Sequence, residues 1–472
     1  MKKPILTILA FIIIYINGLA NPALEKFLSS KGLEHASIAI SVHNPETKEV
    51  ILEYQPNLSL IPASTLKILS TATAISLKNA DYKFETQFGY NGVIDNGVLH
   101  GDLIIKGSGD PTMLSSYFDS SGGKLRTMLS NSLRQAGIKR IEGNIISDES
   151  SYDFEGINPG WIWEDLGNYY AAGIYGINFM DNRYTITFNT SEKGHKPAIE
   201  SVFPPMPYLN FQNNLLPKSS DIDSAYIYGA PFSNDRFIYG AIPQKTNKFT
   251  IQGDIPEPAL SFACYINRIL YESGITVTGK NYSARMLYEE SKTIPKIDTK
   301  LFTWTSPELS AIARKCNVKS INLYAEALMR LASPRNYNVT IYRSIESAIR
   351  YWRQKGIDVS GLFVYDGSGL SPQNRVTANF LNGVLEHMKD NPAFVNSLPI
   401  AGREGTVKGF LGNTKYAGKA RVKSGTIKNV LAYSGYLEGN QKVIFTVIVN
   451  GHKCSNTELR NRIGKLFEDL NL

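Results

Sequence analysis

Pro62-Ala63-Ser64-Thr65-Leu66-Lys67-Ile68-Leu69-Ser70-Thr71-Ala72-Thr73-Ala74-Ile75 is the stretch on which the reading of this chain turns. A serine and a lysine three apart on a helix project from one face, so a hydroxyl nucleophile meets an amine that can serve as its base. Pro62 suits the first helical turn, where a missing N–H costs nothing. Ser64 then lies at the positive end of the helix dipole, which favours developing negative charge. The residues after Lys67 are small and apolar enough to be enclosed by protein on all sides. Enclosure matters, because a lysine acting as a neutral base must fall from about 10.4 to about 7, at about 4.6 kcal/mol. Desolvation and a second nearby cation together supply that much. The spacing also arises without function. Ser121-Gly122-Gly123-Lys124 repeats it, and its two glycines argue against the helix that the geometry needs.

At 472 residues the chain exceeds the comfortable size of one core, so two or three domains are expected. With 43% hydrophobic and 11% aromatic residues it reads as globular rather than disordered. Residues 1–20 read as a secretory signal peptide: Lys2 and Lys3, an apolar run from Ile5 to Ile16, then the small residues Gly18 and Ala20. That run falls short of the about 20 residues a bilayer-spanning helix needs. A retained anchor is the weaker alternative, and peripheral membrane association stays open. The mature chain is expected outside the cytoplasm, in the periplasm.

Removing residues 1–20 takes away two lysines and no acid, lowering the formal charge from +8 to +6. The excess is scattered and forms no basic block, which speaks against nucleic acid and is compatible with an anionic wall or envelope. Cys264, Cys316 and Cys454 are widely spaced and accompanied by no C-x-x-C, so a zinc site is not expected. One disulfide or three buried thiols both fit. His35, His43, His100, His195, His387 and His452 show no metal spacing, and no cofactor is implied.

The two ends of the chain share a texture. After a short helix at Pro22–Ser30, strands are expected at Ser37–His43 and Glu49–Tyr54. Arg421–Lys423 reads as the end of a strand, Val430–Leu437 as a second, and Val443–Val449 as a third after the tight turn Gly439-Asn440. A helix from Asn456 to Leu470 closes the chain. Residues 21–86 and 300–472 are therefore read as one domain, an antiparallel sheet covered by helices. Residues 87–299 have many Gly, Pro and Tyr and strand-like segments at Leu103–Lys106, Ile141–Ser147, Tyr184–Phe188 and Phe249–Gln252. With a helix at Ala259–Tyr271, they read as one or two inserted α+β subdomains. Pro307–Cys316 and Ile321–Leu331 read as two helices joined by Asn317–Ser320, so that Ser320-Ile321-Asn322 stands where a loop re-enters a helix.

Three separated elements now stand in order: Ser64-x-x-Lys67, Ser320-x-Asn322 and Lys423-Ser424-Gly425-Thr426. The chain resembles the penicillin-binding proteins and serine β-lactamases, whose signature is that trio in that order. Ser64 and Ser320 stand 256 residues apart, and Ser64 and Lys423 stand 359 apart. An interval that long resembles the D-alanyl-D-alanine carboxypeptidase/endopeptidases, the class C low-molecular-mass penicillin-binding proteins. Gly101–Ile104 with Gly107–Thr112, Pro159-Gly160-Trp161 with Trp163, Asp366–Ser371, and Pro399–Gly402 with Gly405-Thr406 extend the resemblance over the mature chain. It implies a transpeptidase-like α+β fold with inserted subdomains, peptidoglycan stem peptides as substrate, and β-lactams as inhibitors.

The resemblance also implies roles. Ser64 attacks the carbonyl between two D-alanines, forming an acyl-enzyme, and Lys67 takes its proton. Ser320, helped by Lys423, returns a proton to the leaving amine. Lys423 in its charged form would keep Lys67 unprotonated, and Asn322 would hold Lys67 and the substrate amide. Ser424, Gly425 and Thr426 line the place of the terminal carboxylate, with the N–H groups of Ser64 and Thr426 as oxyanion donors. Asp165 matches a position that faces the diamino-acid side chain of the stem peptide in relatives; an ordinary surface aspartate is the alternative. Ser424 replaces the family's usual threonine, and Pro372 stands where relatives carry arginine, with Arg375 the candidate replacement.

A Ser-His-Asp hydrolase is disfavoured, because no Gly-x-Ser-x-Gly elbow occurs and Ser368 sits in a turn-like Asp-Gly-Ser-Gly. A β-lactamase or esterase using the same trio predicts fast deacylation of penicillin. A non-catalytic wall-binding scaffold predicts a lost motif residue, and none is lost.

Overall fold

The computed structural model describes residues 21–119, 122–190, 195–244, 248–334 and 339–472, so the signal peptide expected at 1–20 lies outside the described residues. The chain divides into two compact units. One gathers residues up to Ser76 with Ala313–Ser320 and Ala348–Leu472; the other gathers Leu77–Ile312 and Ile321–Ser347.

The first unit is built on a five-stranded antiparallel sheet. Its order is Ala420–Ile427, Val430–Glu438, Lys442–Asn450, Ser37–His43, Val50–Tyr54. Near-continuous burial of Lys442–Asn450 explains why its sequence is an unbroken apolar run: both faces of the sheet are covered. On one face Leu24 and Phe27 of the helix Pro22–Leu28 and Leu459, Ile463 and Phe467 of the helix Asn456–Asp469 share a core with Val422, Tyr433 and Phe445. Ser455 and Glu458 form a reciprocal cap that fixes where the last helix starts. On the sheet's polar seam, Asn382 of the helix Ala378–Met388 donates to Ser41 O at 3.0 Å and accepts from Thr446 Oγ1 at 2.7 Å. The helix Lys67–Lys78 is buried from Lys67 through Ile75, and Trp352 Nε1 donates to its Thr73 Oγ1 at 2.8 Å. Small residues are what allow a helix to be enclosed this way.

The second unit carries a mixed five-stranded sheet in the order Asn281–Ser283, Ile145–Asp148, Leu103–Lys106, Glu85–Tyr90, Thr299–Thr305. A four-stranded sheet and two three-stranded sheets complete it. Its core draws Leu125, Leu129 and Leu133 from the helix Gly122–Gln135 and Phe262, Ile266 and Leu270 from the helix Pro258–Glu272. This unit is wider than the 87–299 expected from texture, because Glu85–Tyr90 pairs with Thr299–Thr305 and residues 321–347 gather with it.

Three local expectations need correction. Gly122 and Gly123 do begin a helix; they sit in its first turn, and Leu125, Leu129 and Leu133 bury its apolar face. The segment expected at Ile141–Ser147 is two strands, Arg140–Ile141 and Ile145–Asp148, in different sheets. Gly143 separates them where a Cβ would stand 2.0 Å from Gly101 O. The strand read as ending at Lys423 continues to Ile427, because its pairing with Val430–Glu438 runs unbroken through the motif.

Candidate active site

Ser64 lies in a 3-10 turn, Ala63–Leu66, which hands over to the α-helix at Lys67. Ala63 has a φ of 46°, a left-handed conformation uncommon for a residue with a Cβ, immediately before the serine. Lys67 is fully buried. Its Nζ stands 2.9 Å from Ser64 Oγ and donates to Ser368 O at 2.6 Å. Ser64 itself is only half-buried.

The loop that receives Lys67 is held from within. The Asp366 carboxylate accepts from the N–H groups of Gly369 and Ser371, each at 2.7 Å, and from Asn374 Nδ2 at 2.9 Å. Ser70 Oγ donates to Gly367 O. Gly369 has a φ of 81°, and a Cβ there would stand 1.9 Å from Ala63 O. Only glycine lets this loop lie against the residue preceding Ser64. Asp-Gly-Ser-Gly is thus a turn, as its sequence suggests, and its contribution is the Ser368 carbonyl. Arg375 donates to Pro372 O at 2.7 Å and Asn374 O at 2.8 Å, so it braces this same loop.

The edge strand brings the third motif to the same place. Lys423, fully buried, donates to Ser320 Oγ at 3.0 Å and to Ser424 O at 2.7 Å. Gly425 passes so near the turn that carries Ser64 that a Cβ would meet Pro62 O at 2.4 Å and Ser64 N at 3.0 Å. Thr426 is exposed beyond it. Ser424 Oγ shares a hydrogen bond of 2.8 Å with Thr406 Oγ1. The stretch before Thr406 is pinned by Glu404, which accepts from Arg314 at 2.6 Å and from Ile400 N at 2.8 Å. The Lys423 amine is held well below the usual lysine range, first by burial and then by the charge of Lys67.

Ser320 is half-buried and left-handed, with a φ of 57°. The helix before it, Leu309–Lys319, is longer than expected, and the next helix opens at Asn322. The connection is therefore two residues rather than four.

The first unit thus contains Ser64, Lys67, Ser320, Lys423, Ser424, Gly425 and Thr426, while Asn322 and Asp165 belong to the second. Asn322 Nδ2 donates to Tyr170 O at 2.8 Å. Asp165 accepts from Tyr170 Oη at 3.1 Å, and its carboxyl is pushed up chiefly by burial. Sequence reasoning missed Ser368 O and Thr406 Oγ1 as partners of the motif residues. A backbone carbonyl leaves no residue-type signal, whereas a threonine could have been suspected from the quoted Gly405-Thr406. Among the described residues no disulfide joins the three cysteines, and no cluster of His, Cys, Asp or Glu is arranged to hold a metal.

The sequence profile of the D-Ala-D-Ala carboxypeptidase 3 (S13) family matches residues 20–468, and the chain belongs to that family. It is 25% identical over 451 residues to D-alanyl-D-alanine carboxypeptidase DacB of Haemophilus influenzae, covering 93% of this chain and 91% of that protein. It is 24% identical over 449 residues to a D-alanyl-D-alanine carboxypeptidase of an Actinomadura species, covering 91% and 80% respectively. Among solved structures, penicillin binding protein 4 (dacB) of Haemophilus influenzae superposes with a TM-score of 0.81 at 23% identity, over 95% of this chain and 98% of that one. A likeness at that identity speaks for the fold.

Proposed function

We propose that this chain is a serine DD-peptidase that hydrolyses D-Ala-D-Ala termini and D-Ala cross-links of peptidoglycan stem peptides and is trapped by β-lactams. The observation that carries this reading is a fully buried Lys67 whose Nζ stands 2.9 Å from Oγ of the half-buried Ser64. Membership of the S13 family supports the substrate class.

Ser64 Oγ attacks the carbonyl between the two D-alanines while Lys67 accepts its proton. The oxyanion forms against the N–H groups of Ser64 and Thr426, where one such donor is typically worth about 3–4 kcal/mol. Collapse breaks the C–N bond, and Ser320, bonded to Lys423, delivers a proton to the departing amine. Water then attacks the ester and frees Ser64. Lys423, Ser424 and Thr426 hold the terminal carboxylate, with Gly425 keeping the strand close. Asn322 positions the substrate amide, and Asp165 receives the ammonium of a diamino acid. The first 20 residues support export to the periplasm, and among the described residues no helix is long and apolar enough to cross a membrane. A soluble pentapeptide ending in D-Ala-D-Ala tests the reaction: the wild type releases one D-alanine per peptide and Ser64→Ala releases none. Equal release by both would refute it, and rapid penicillin turnover would favour a β-lactamase.

A further inference from the structure

In the second unit, the small sheet formed by Asn210–Lys218, Asp235–Pro243 and Tyr226–Tyr228 has two unlike faces. Arg236, Ile238, Leu215 and Ile227 are buried on one of them. Asp235, Phe237 and Tyr239 alternate with the buried residues along the central strand and face outward. The register sets Tyr226 opposite Tyr239 and Tyr228 opposite Phe237. On the other flank it sets the exposed Gln212 beside Phe237 and the exposed Asn214 beside Tyr239. The result is an aromatic stripe edged by carboxamides.

The rings are ordered among themselves. Trp163 stacks on Tyr228 with centroids 4.4 Å apart and planes at 15°. Tyr226 follows Tyr228 at 6.2 Å and 21°, and Tyr239 meets it edge-on at 6.0 Å. Trp163 remains 69% exposed although Tyr228 covers one of its faces, and Tyr239 is 47% exposed. Large rings held in contact with water in this way mark a binding surface rather than a core. Trp163, Tyr228, Phe237 and Tyr239 border a groove of about 640 Å³ that also holds Asp235. Among the described residues lining it none is basic.

The chemistry of that surface selects its ligand. A phosphate polymer, an anionic lipid or a nucleic acid calls for cations, and the groove offers a carboxylate instead. An acyl chain would leave Asp235, Gln212 and Asn214 without purpose. A pyranose ring presents an apolar C–H face to an aromatic plane and equatorial hydroxyls or acetamido groups to carboxamides at its rim. We propose that this face binds the uncharged β-linked N-acetyl amino-sugar chain of peptidoglycan, holding the glycan strand whose stem peptide is the substrate. The inference rests on the peptidase reading for the identity of the polymer, and on the sheet face alone for its chemistry.

The probe is a β-linked hexamer of N-acetylglucosamine, which carries no charge. Trp161, Trp304 and Trp352 are at most 6% exposed, so Trp163 is the tryptophan whose emission reports binding. The wild type is expected to bind the hexamer with a blue shift. F237A and Y239A each weaken binding at least tenfold and slow digestion of intact sacculi, while hydrolysis of the soluble pentapeptide stays at the wild-type rate. Absence of binding by the wild type, or undiminished binding by both variants, overturns the proposal. So does self-association through this face that the variants disperse, without glycan binding. A wild type that binds glycan yet leaves the pentapeptide intact supports the glycan face and refutes the peptidase reading.

Discussion

Lys67 and Lys423 are both fully buried; Lys67 Nζ stands against Ser64 Oγ and Ser368 O, and Lys423 Nζ against Ser320 Oγ and Ser424 O. Burial and the mutual repulsion of two neighbouring amines both work against charge. That cost is what poises a base beside Ser64. Because the charge of Lys67 adds to burial in holding Lys423 low, K67M removes one of the two depressing influences. NMR titration of the Lys423 side chain is expected to find its midpoint higher in K67M than in the wild type. An unchanged or lower midpoint would contradict the coupling. At this scale the sequence was informative wherever chemistry needs a residue type: Ser64, Lys67, Ser320 and Lys423 announce themselves by spacing. Ser368 O could not be found that way, because any residue supplies a carbonyl. The lowering of Lys423 was not foreseen either; the sequence reading gave Lys423 the charge that keeps Lys67 neutral.

Among the elements, the five strands of the first sheet were legible because covered strands are continuous apolar runs and the turn Gly439-Asn440 is a strong signal. The end of the edge strand was misplaced because Lys423-Ser424-Gly425-Thr426 has the polarity of a loop. Pairing with Val430–Glu438 carries it on as a strand to Ile427. Gly425 then matters for its lack of a side chain. A methyl group there collides with Pro62 O and crowds the N–H of Ser64. G425A is expected to fold and to acylate about 100-fold more slowly, since displacement of the order of 1 Å costs about that much. Stopped-flow acylation by a chromogenic cephalosporin measures it. A wild-type rate would show that the close approach is incidental.

On the scale of the whole molecule, the second unit buries carboxyls whose titration reaches its stability, Glu149 and Asp110 among them. Glu149 caps the helix Ala284–Glu289 through bonds to Ala284 N and Arg285 N, and burial pushes its carboxyl up to about 7. Asp110 and Asp153 are pushed up to about 6 by the same cause. A carboxyl raised on folding contributes stability that is full below about 4.5, its ordinary value, and is lost as pH rises through about 7. E149Q is therefore expected to gain on the wild type in denaturant stability between pH 5 and pH 8. A constant difference, or one of opposite slope, would show that Glu149 is already ionised in the fold. The extent of this unit was only half legible. Its Tyr- and Gly-rich texture marks the middle of the insertion, but pairing of Glu85–Tyr90 with Thr299–Thr305 is a long-range fact with no local trace.

Peptide mapping of the purified chain after brief exposure to benzylpenicillin, read by mass spectrometry, tests the central assignment most directly. A single penicilloyl adduct is expected on the oxygen of Ser64, stable over minutes and absent from S64A. An adduct on another residue, or no adduct at all with wild-type folding, would contradict it.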